Sequence, residues 1–162
     1  MKETALAYMA GFVDGEGCIR VALNQSGKYP FYQLTVRVYN TNCIVPNFFK
    51  QSFGEAVRIN KRNNPNHRPL FMWQASCRLA CSCLKQLEPY LMMKREQAQL
   101  AILFQEQKHK NKNLELVETI NSYNRRGAEA IKHELDDKSC SEFYQQIFAD
   151  SRTLGPISST QN

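Results

Sequence analysis

In three successive stretches of this chain every second residue is apolar, and the residues between, Ala22 apart, are polar or basic. The apolar sets are Ile19, Val21 and Leu23, then Leu34, Val36 and Val38, then Val57 and Ile59. Strand side chains alternate between faces, so a period of two predicts half-buried strands at about 18–24, 32–40 and 56–61. The opposite faces carry Arg20, Ala22 and Asn24, then Gln33, Thr35, Arg37 and Tyr39, then Arg58, Asn60 and Arg62. A sheet that is apolar on one side needs helices there and leaves its other side to water or a ligand.

Helical patterns supply that cover. Residues 4–15 carry Leu6, Met9 and Val13 on one stripe, with Thr4 as the expected N-cap and Gly15 and Gly17 as the stop. Residues 44–53 have Pro46 early, Phe48, Phe49 and Phe53 as an apolar face, and Gly54 just after, the punctuation of a short helix. A weaker strand, LFMWQAS, follows at 70–76; its facing is left open by the pattern, and its lone Trp73 is read as core. Residues 77–87 repeat Ala80, Leu84 and Leu87 before Pro89 breaks the helix, and further helices are expected at about 94–109, 114–126 and 140–149. The expected fold is α+β in the order α-β-β-α-β-β-α, a four-stranded antiparallel sheet with helices on one face and a helical C-terminal extension. With 162 residues it reads as one domain over 1–150 and a frayed tail over 151–162.

Charge narrows the partner. Residues 17–70 hold eight basic side chains (Arg20, Lys28, Arg37, Lys50, Arg58, Lys61, Arg62 and Arg68) against the single acid Glu55, a local charge of +7 in a chain whose formal net charge is +6. Segregated positive charge suits a phosphate backbone, though by itself it does not separate DNA from RNA or an anionic membrane. The alternating faces are more specific. Arg, Asn, Gln, Thr and Tyr at two-residue spacing are the side chains that contact base edges and phosphates. The expected DNA-binding set is therefore Arg20, Asn24, Lys28, Gln33, Thr35, Arg37, Tyr39, Arg58, Asn60, Arg62 and Arg68.

No stretch approaches the roughly 18 to 20 apolar residues of a membrane span, and MKETALAYMAGF makes a poor signal peptide. An intracellular protein with no membrane partner is expected. The six cysteines lack paired zinc-knuckle spacing, and His67 is a lone candidate partner, so Cys77 and Cys81 read as packing residues four apart on a helix.

Residues 8–17, Tyr-Met-Ala-Gly-Phe-Val-Asp-Gly-Glu-Gly, closely resemble the signature of the LAGLIDADG homing endonucleases. Residues 87–98, LEPYLMMKREQA, look like that family's Pro-aromatic-Leu-x-x-Lys segment after the fourth strand, and the resemblance spans roughly residues 5–105 in order and spacing. Ala7, Gly11 and Gly15 recur every four residues, a small-residue stripe that lets two helix backbones approach closely. On spacing alone that stripe could equally pack on its own sheet. The resemblance implies a dimer interface instead, drawn from Ala7, Gly11 and Asp14, and a single motif implies a homodimer on a near-palindromic site.

The resemblance further implies a divalent-metal-dependent endonuclease that makes double-strand breaks across the minor groove and promotes mobility of its host intron. Glu16 maps onto the family's metal-binding acid, with the Gly15 carbonyl as a second donor. Asp14 is expected to cap backbone donors or support the helix interface. Asn42 occupies the place of a water-holding polar residue, and it is equally a candidate N-cap ahead of Pro46. Lys94 matches the lysine that polarises the scissile phosphate or tunes the attacking water, so the catalytic set is Glu16, Asn42 and Lys94. Mg²⁺ is the implied cofactor, with Mn²⁺ or Ca²⁺ as substitutes for binding. Some relatives place another basic residue near the start of the second helix, where this chain has Ile44, Val45 and Pro46. The implied partners are double-stranded DNA, a second copy of the chain and host intron RNA. The implied compartment is a chloroplast or mitochondrion, or else the cytoplasm of a prokaryote. The competing reading is a catalytically silent relative, an intron-splicing maturase or a DNA-binding regulator.

Overall fold

A computed structural model of the chain describes residues 1–60, 68–107 and 113–124. All of these fall within the unit Met1–Ala130. Arg62, Lys61, His67, Cys140, the helix expected at 140–149 and the tail lie outside the described residues, as does the end of the domain expected at 150.

The element order is α1 (Glu3–Glu16), β1 (Gly17–Asn24), β2 (Phe31–Asn40), α2 (Ile44–Phe53), β3 (Val57–Asn60), β4 (Leu70–Ser76), α3 (Cys77–Leu87), a 3₁₀ turn (Glu88–Tyr90), α4 (Arg95–Glu106) and α5 (Leu114–Ser122). The four strands form one antiparallel sheet in the order β1-β2-β4-β3. Among the described residues no helix is long and apolar enough to cross a membrane.

The register fixes the faces. Ile19 pairs with Val36, Val21 with Leu34, Val36 with Ala75, and Val38 with both Gly17 and Trp73. These side chains pack with Met9 and Val13 of α1, Phe49 of α2, Leu84 and Leu87 of α3, Phe104 of α4 and Ile120 of α5 in one buried core. Trp73 is fully buried, 5.0 Å from Phe49 between ring centroids, and its Nε1 donates to the Gly54 carbonyl at 2.8 Å. The fourth strand thus turns Phe71, Trp73 and Ala75 to the helices and Leu70, Met72, Gln74 and Ser76 to the open face. Cys81 and Cys83 are also core residues.

Three local expectations are corrected. Leu23 was placed inward by period two, yet next to the end of β1 it is 45% exposed. Thr4 is not the N-cap: α1 begins at Glu3 after Lys2, with no side-chain cap, and the acid in its first turn answers the positive end of the helix instead. Ile59 was placed inward by period two, yet it is 60% exposed. It lies on a four-residue strand at the sheet edge, where the helices no longer reach.

The junction between α1 and β1 depends on one glycine. A Cβ at Gly17 would stand 2.6 Å from the Val13 carbonyl oxygen and 2.7 Å from Val13 Cα, both backbone atoms that cannot swing away. Gly17→Ala is therefore expected to cost about 2 kcal/mol or more, the scale of forced overpacking. Thermal melts check this, and a variant as stable as the parent would contradict it.

Candidate active site and nucleic-acid interface

Gly17 drops the chain straight from helix into strand, so the last residues of α1 lie at one end of the open face. Gly15, Glu16, Gly17, Cys18, Tyr39, Lys94, Tyr123 and Asn124 line a cleft of about 400 Å³ there. Glu16, Gly15 and Lys94, three residues expected at the site from sequence, converge in it across a chain separation of almost eighty residues. Glu16 is exposed at the foot of the helix.

Lys94 is held in place by Asp14. The Asp14 carboxylate accepts from the Met92 N–H at 2.7 Å and from the Lys94 N–H at 2.9 Å, and the Lys94 ammonium donates to the Asp14 carbonyl. Lys94 is also the N-cap residue of α4, so Asp14 supplies the cap that Lys94 cannot make for itself. Burial pushes the Lys94 pKa below its ordinary 10.5, against the opposing pull of Asp14, Cys18 and Glu16. The folded chain therefore sheds this proton before the unfolded chain does, so this one group's contribution to stability rises with pH across the window that ends near 10.5, while the raised thiol of buried Cys83 contributes in the opposite direction. Lys94→Met is expected to flatten that rise. Urea melts of both proteins between about pH 8 and 10 test this, and equal slopes would show that another group titrates.

The open wall of the cleft comes from residues that no motif marked. Asn121 accepts from the Val21 N–H at 3.1 Å and donates to the Val21 carbonyl at 2.7 Å, pinning α5 along the free edge of β1. Asn124 donates to the Ile19 carbonyl at 2.7 Å, and buried Gln97 donates to the same carbonyl at 3.0 Å. This brings Tyr123 into the cleft, its pKa pushed up to about 12 by burial first and then by its hydrogen bond to the Glu96 carboxylate. Between 78 and 105 residues separate these groups from the strand they hold, and nothing in their spacing announces them.

Asn42 is not among the cleft residues. Its side-chain oxygen accepts from the Ile44 N–H at 2.9 Å, but the N-cap of α2 is Cys43, so Asn42 stands one residue before the capping position its alternative reading gave it. Asp14 is likewise not on the exposed stripe of α1. It is buried, with both carboxylate oxygens committed inside its own protomer. That corrects its place in the expected dimer interface. Ala7, Gly11 and Gly15 are exposed, and a Cβ at either glycine would meet nothing within 4 Å.

Beyond the cleft, the open face of the sheet presents Arg20, Gln33, Arg37, Tyr39, Arg58 and Asn60, with Lys28 in the hairpin loop and Arg68 before β4. No Asp or Glu occupies that face among the described strand residues. Two expected base readers are engaged within the fold. Thr35 is buried and donates its hydroxyl to the Arg20 carbonyl at 3.3 Å. Asn24 accepts from the Ser26 N–H at 3.0 Å and donates to Gln33 Oε1 at 3.1 Å, closing the hairpin turn. Gln74 and Ser76 join the open face, which the blurred pattern of the fourth strand had concealed.

The donors at the foot of α1 suit a hard cation but do not complete a site. Hard divalent ions take several oxygens, whereas the cleft offers the Glu16 carboxylate and the Gly15 carbonyl, and Asp14 is already satisfied. Among the described residues no group of three or more His, Cys, Asp or Glu could hold a metal. A complete cation site there would need further oxygens from outside these residues.

No known family's sequence profile and no curated protein matches the chain. Solved structures do. The homing endonuclease I-CvuI, in complex with a DNA target in 2 mM Mg, superposes with a TM-score of 0.61 at 21% identity, over 78% of this chain and 85% of that one. The archaeal intron-encoded homing endonuclease I-Vdi141I, complexed with DNA, gives 0.61 at 14% identity over 78% and 88%. The LAGLIDADG homing endonuclease I-SmaMI, bound to cleaved DNA, gives 0.57 at 19% identity, covering 99% of this chain but 52% of its own length.

Proposed function

We propose that this chain, which has the fold of the LAGLIDADG homing endonucleases, is a divalent-metal-dependent DNA endonuclease that acts as a homodimer. One observation carries the reading: Glu16, Gly15 and Lys94 meet in a single cleft at the end of an open sheet face whose charged strand residues are all basic. The alternating faces would supply binding, and the cleft would let that binding end in cleavage.

The exposed stripe of α1 lets a second copy approach closely, and two-fold symmetry then sets two Glu16 carboxylates side by side. Glu16 and Gly15 would hold Mg²⁺ together with phosphate and water oxygens. When bound, the metal activates the attacking water and stabilises the leaving oxygen. Lys94, partly desolvated and fixed by Asp14, places a positive charge beside the cleft where a phosphate would gain negative charge during cleavage. The sheets of the two protomers would lie in the major groove of a near-palindromic site, their arginines neutralising phosphates and reading bases. A break at such a site is the chemistry that promotes mobility of a host intron.

The test is a cleavage selection: purified protein with Mg²⁺ acts on a randomised or genomic DNA library, and cut ends are sequenced against an EDTA control. One long near-palindromic site, cut with metal and intact with EDTA, is the expected result. Enrichment of bound DNA without cutting would overturn the nuclease reading in favour of a silent DNA-binding relative.

A further inference from the structure

Across the middle of the sheet, β2 and β4 set Arg37 opposite Gln74 and Thr35 opposite Ser76 on the open face. Arg37 Nε donates to Gln74 Oε1 at 2.8 Å, and Gln74 Nε2 donates to Ser76 Oγ at 3.1 Å. These three half-buried side chains form one hydrogen-bonded row. An arginine usually loses much rotamer freedom when it takes hold of a ligand, and here that cost is met before any ligand arrives.

The partner matters as much as the restraint. Gln74 is neutral, and no carboxylate lies on this face among the described strand residues, so the guanidinium keeps its full charge for something outside the protein. With Nε occupied, the two terminal nitrogens remain, presenting parallel donors end-on. Their complement in a major groove is two adjacent acceptors on one base edge, which guanine alone offers as O6 and N7. The neighbouring organised pair is less selective. Gln33 has its oxygen engaged by Asn24, and the amide nitrogen that remains can meet an acceptor on several bases. Arg37 also pairs across the sheet with Cys18, which lines the cleft, so whatever it reads lies close to the foot of α1.

From this we infer that the Arg37–Gln74–Ser76 row is a pre-organised guanine reader. Arg37 recognises a guanine beside the cut in each half-site, and Gln74 is the positioning residue that holds it. The inference rests on the endonuclease reading, and the experiment separates the two. The cleavage selection is run with the parent protein, Arg37→Lys, Arg37→Ala and Gln74→Leu, after melts show all four folded, and DNA binding of the parent and Arg37→Ala is titrated at several salt concentrations. The parent should recover a site with guanine at one matched position near the cut in both halves. Arg37→Lys keeps the charge but loses the fork, and should lose preference at that position by roughly tenfold or more. Gln74→Leu should weaken the same position while preferences elsewhere in the site persist. An unchanged guanine preference in Arg37→Lys overturns the inference and leaves the nuclease standing. So does a uniform loss over all sequences in Arg37→Ala with the salt slope falling by about one, the mark of a phosphate contact. A parent protein that neither cuts nor enriches DNA overturns both readings.

Discussion

Glu16→Gln is expected to abolish DNA cleavage while leaving site-specific binding near the parent level. The substitution keeps the shape of the side chain and removes its charge, at an exposed position at the end of α1 where no core contact is lost. Stability should therefore change by no more than about 0.5 kcal/mol. The chemistry should suffer much more. Among the described residues Glu16 is the one carboxylate lining the cleft, and a catalytic metal there would supply several kcal/mol of transition-state stabilisation, about three decades or more in rate. On the proposed reading, binding would draw instead on the basic residues of the sheet and should, if anything, tighten slightly as a negative charge near the DNA is lost. Single-turnover cleavage in Mg²⁺ and gel-shift titration in Ca²⁺ separate the two effects. Cleavage at the parent rate would remove Glu16 from the metal site, and joint loss of binding and cleavage would mean that Glu16 organises the protein rather than the ion.

The parts of this fold that were legible in the sequence are those governed by short periods. Period two along β1 and β2 identified the buried face at Ile19, Val21, Leu34, Val36 and Val38, which the helices cover, but not at Leu23, 45% exposed near the end of β1, and it gave no sign that Thr35 is buried. It failed at Ile59, where a short edge strand leaves the cover behind, and it gave no answer for LFMWQAS. There Met72, on the open face, is as well buried as a core residue, and the pattern reads as a continuous apolar run. Glu16, Gly15 and Lys94 were legible through two separated motifs, whose spacing reflects a helix end and a loop brought together by the sheet. What stayed hidden was set by contacts distant in sequence. Asparagines and glutamines are common at surfaces, and nothing local marks Asn121, Asn124 and Gln97 as the groups that close β1 against α4 and α5. Asn42 and Thr35 carried the right chemistry for their expected roles, but a neighbouring backbone N–H and a neighbouring carbonyl had the nearer claim.

Asp14→Ala should be the most destabilising change among the acidic residues of the motif, and it should impair cleavage at temperatures where the variant is still folded. Both carboxylate oxygens are committed: one to the Met92 N–H at 2.7 Å, the other to the Lys94 N–H at 2.9 Å. Hydrogen bonds to a charged partner contribute about 1.5–3 kcal/mol each, and the carboxylate also faces the positive end of α4. Their loss leaves donors unsatisfied at a partly buried helix start, so a cost of about 3 kcal/mol, or roughly 10 °C in Tm, is expected. Asp14→Asn should recover part of this, since its amide offers one acceptor oxygen where the carboxylate offered two. The effect on Lys94 is separate from the effect on stability. Asp14 is the leading influence that raises the Lys94 pKa against burial, so in Asp14→Ala the lysine should titrate lower still, and the rise of stability with pH should begin at lower pH than in the parent. A purely structural Asp14 would lower Tm equally at every pH and leave the cleavage rate unchanged below the transition. A pH-dependent difference between the two proteins, together with slower cleavage and intact DNA binding, is the result expected if Asp14 both anchors α4 and positions the lysine at the cleft.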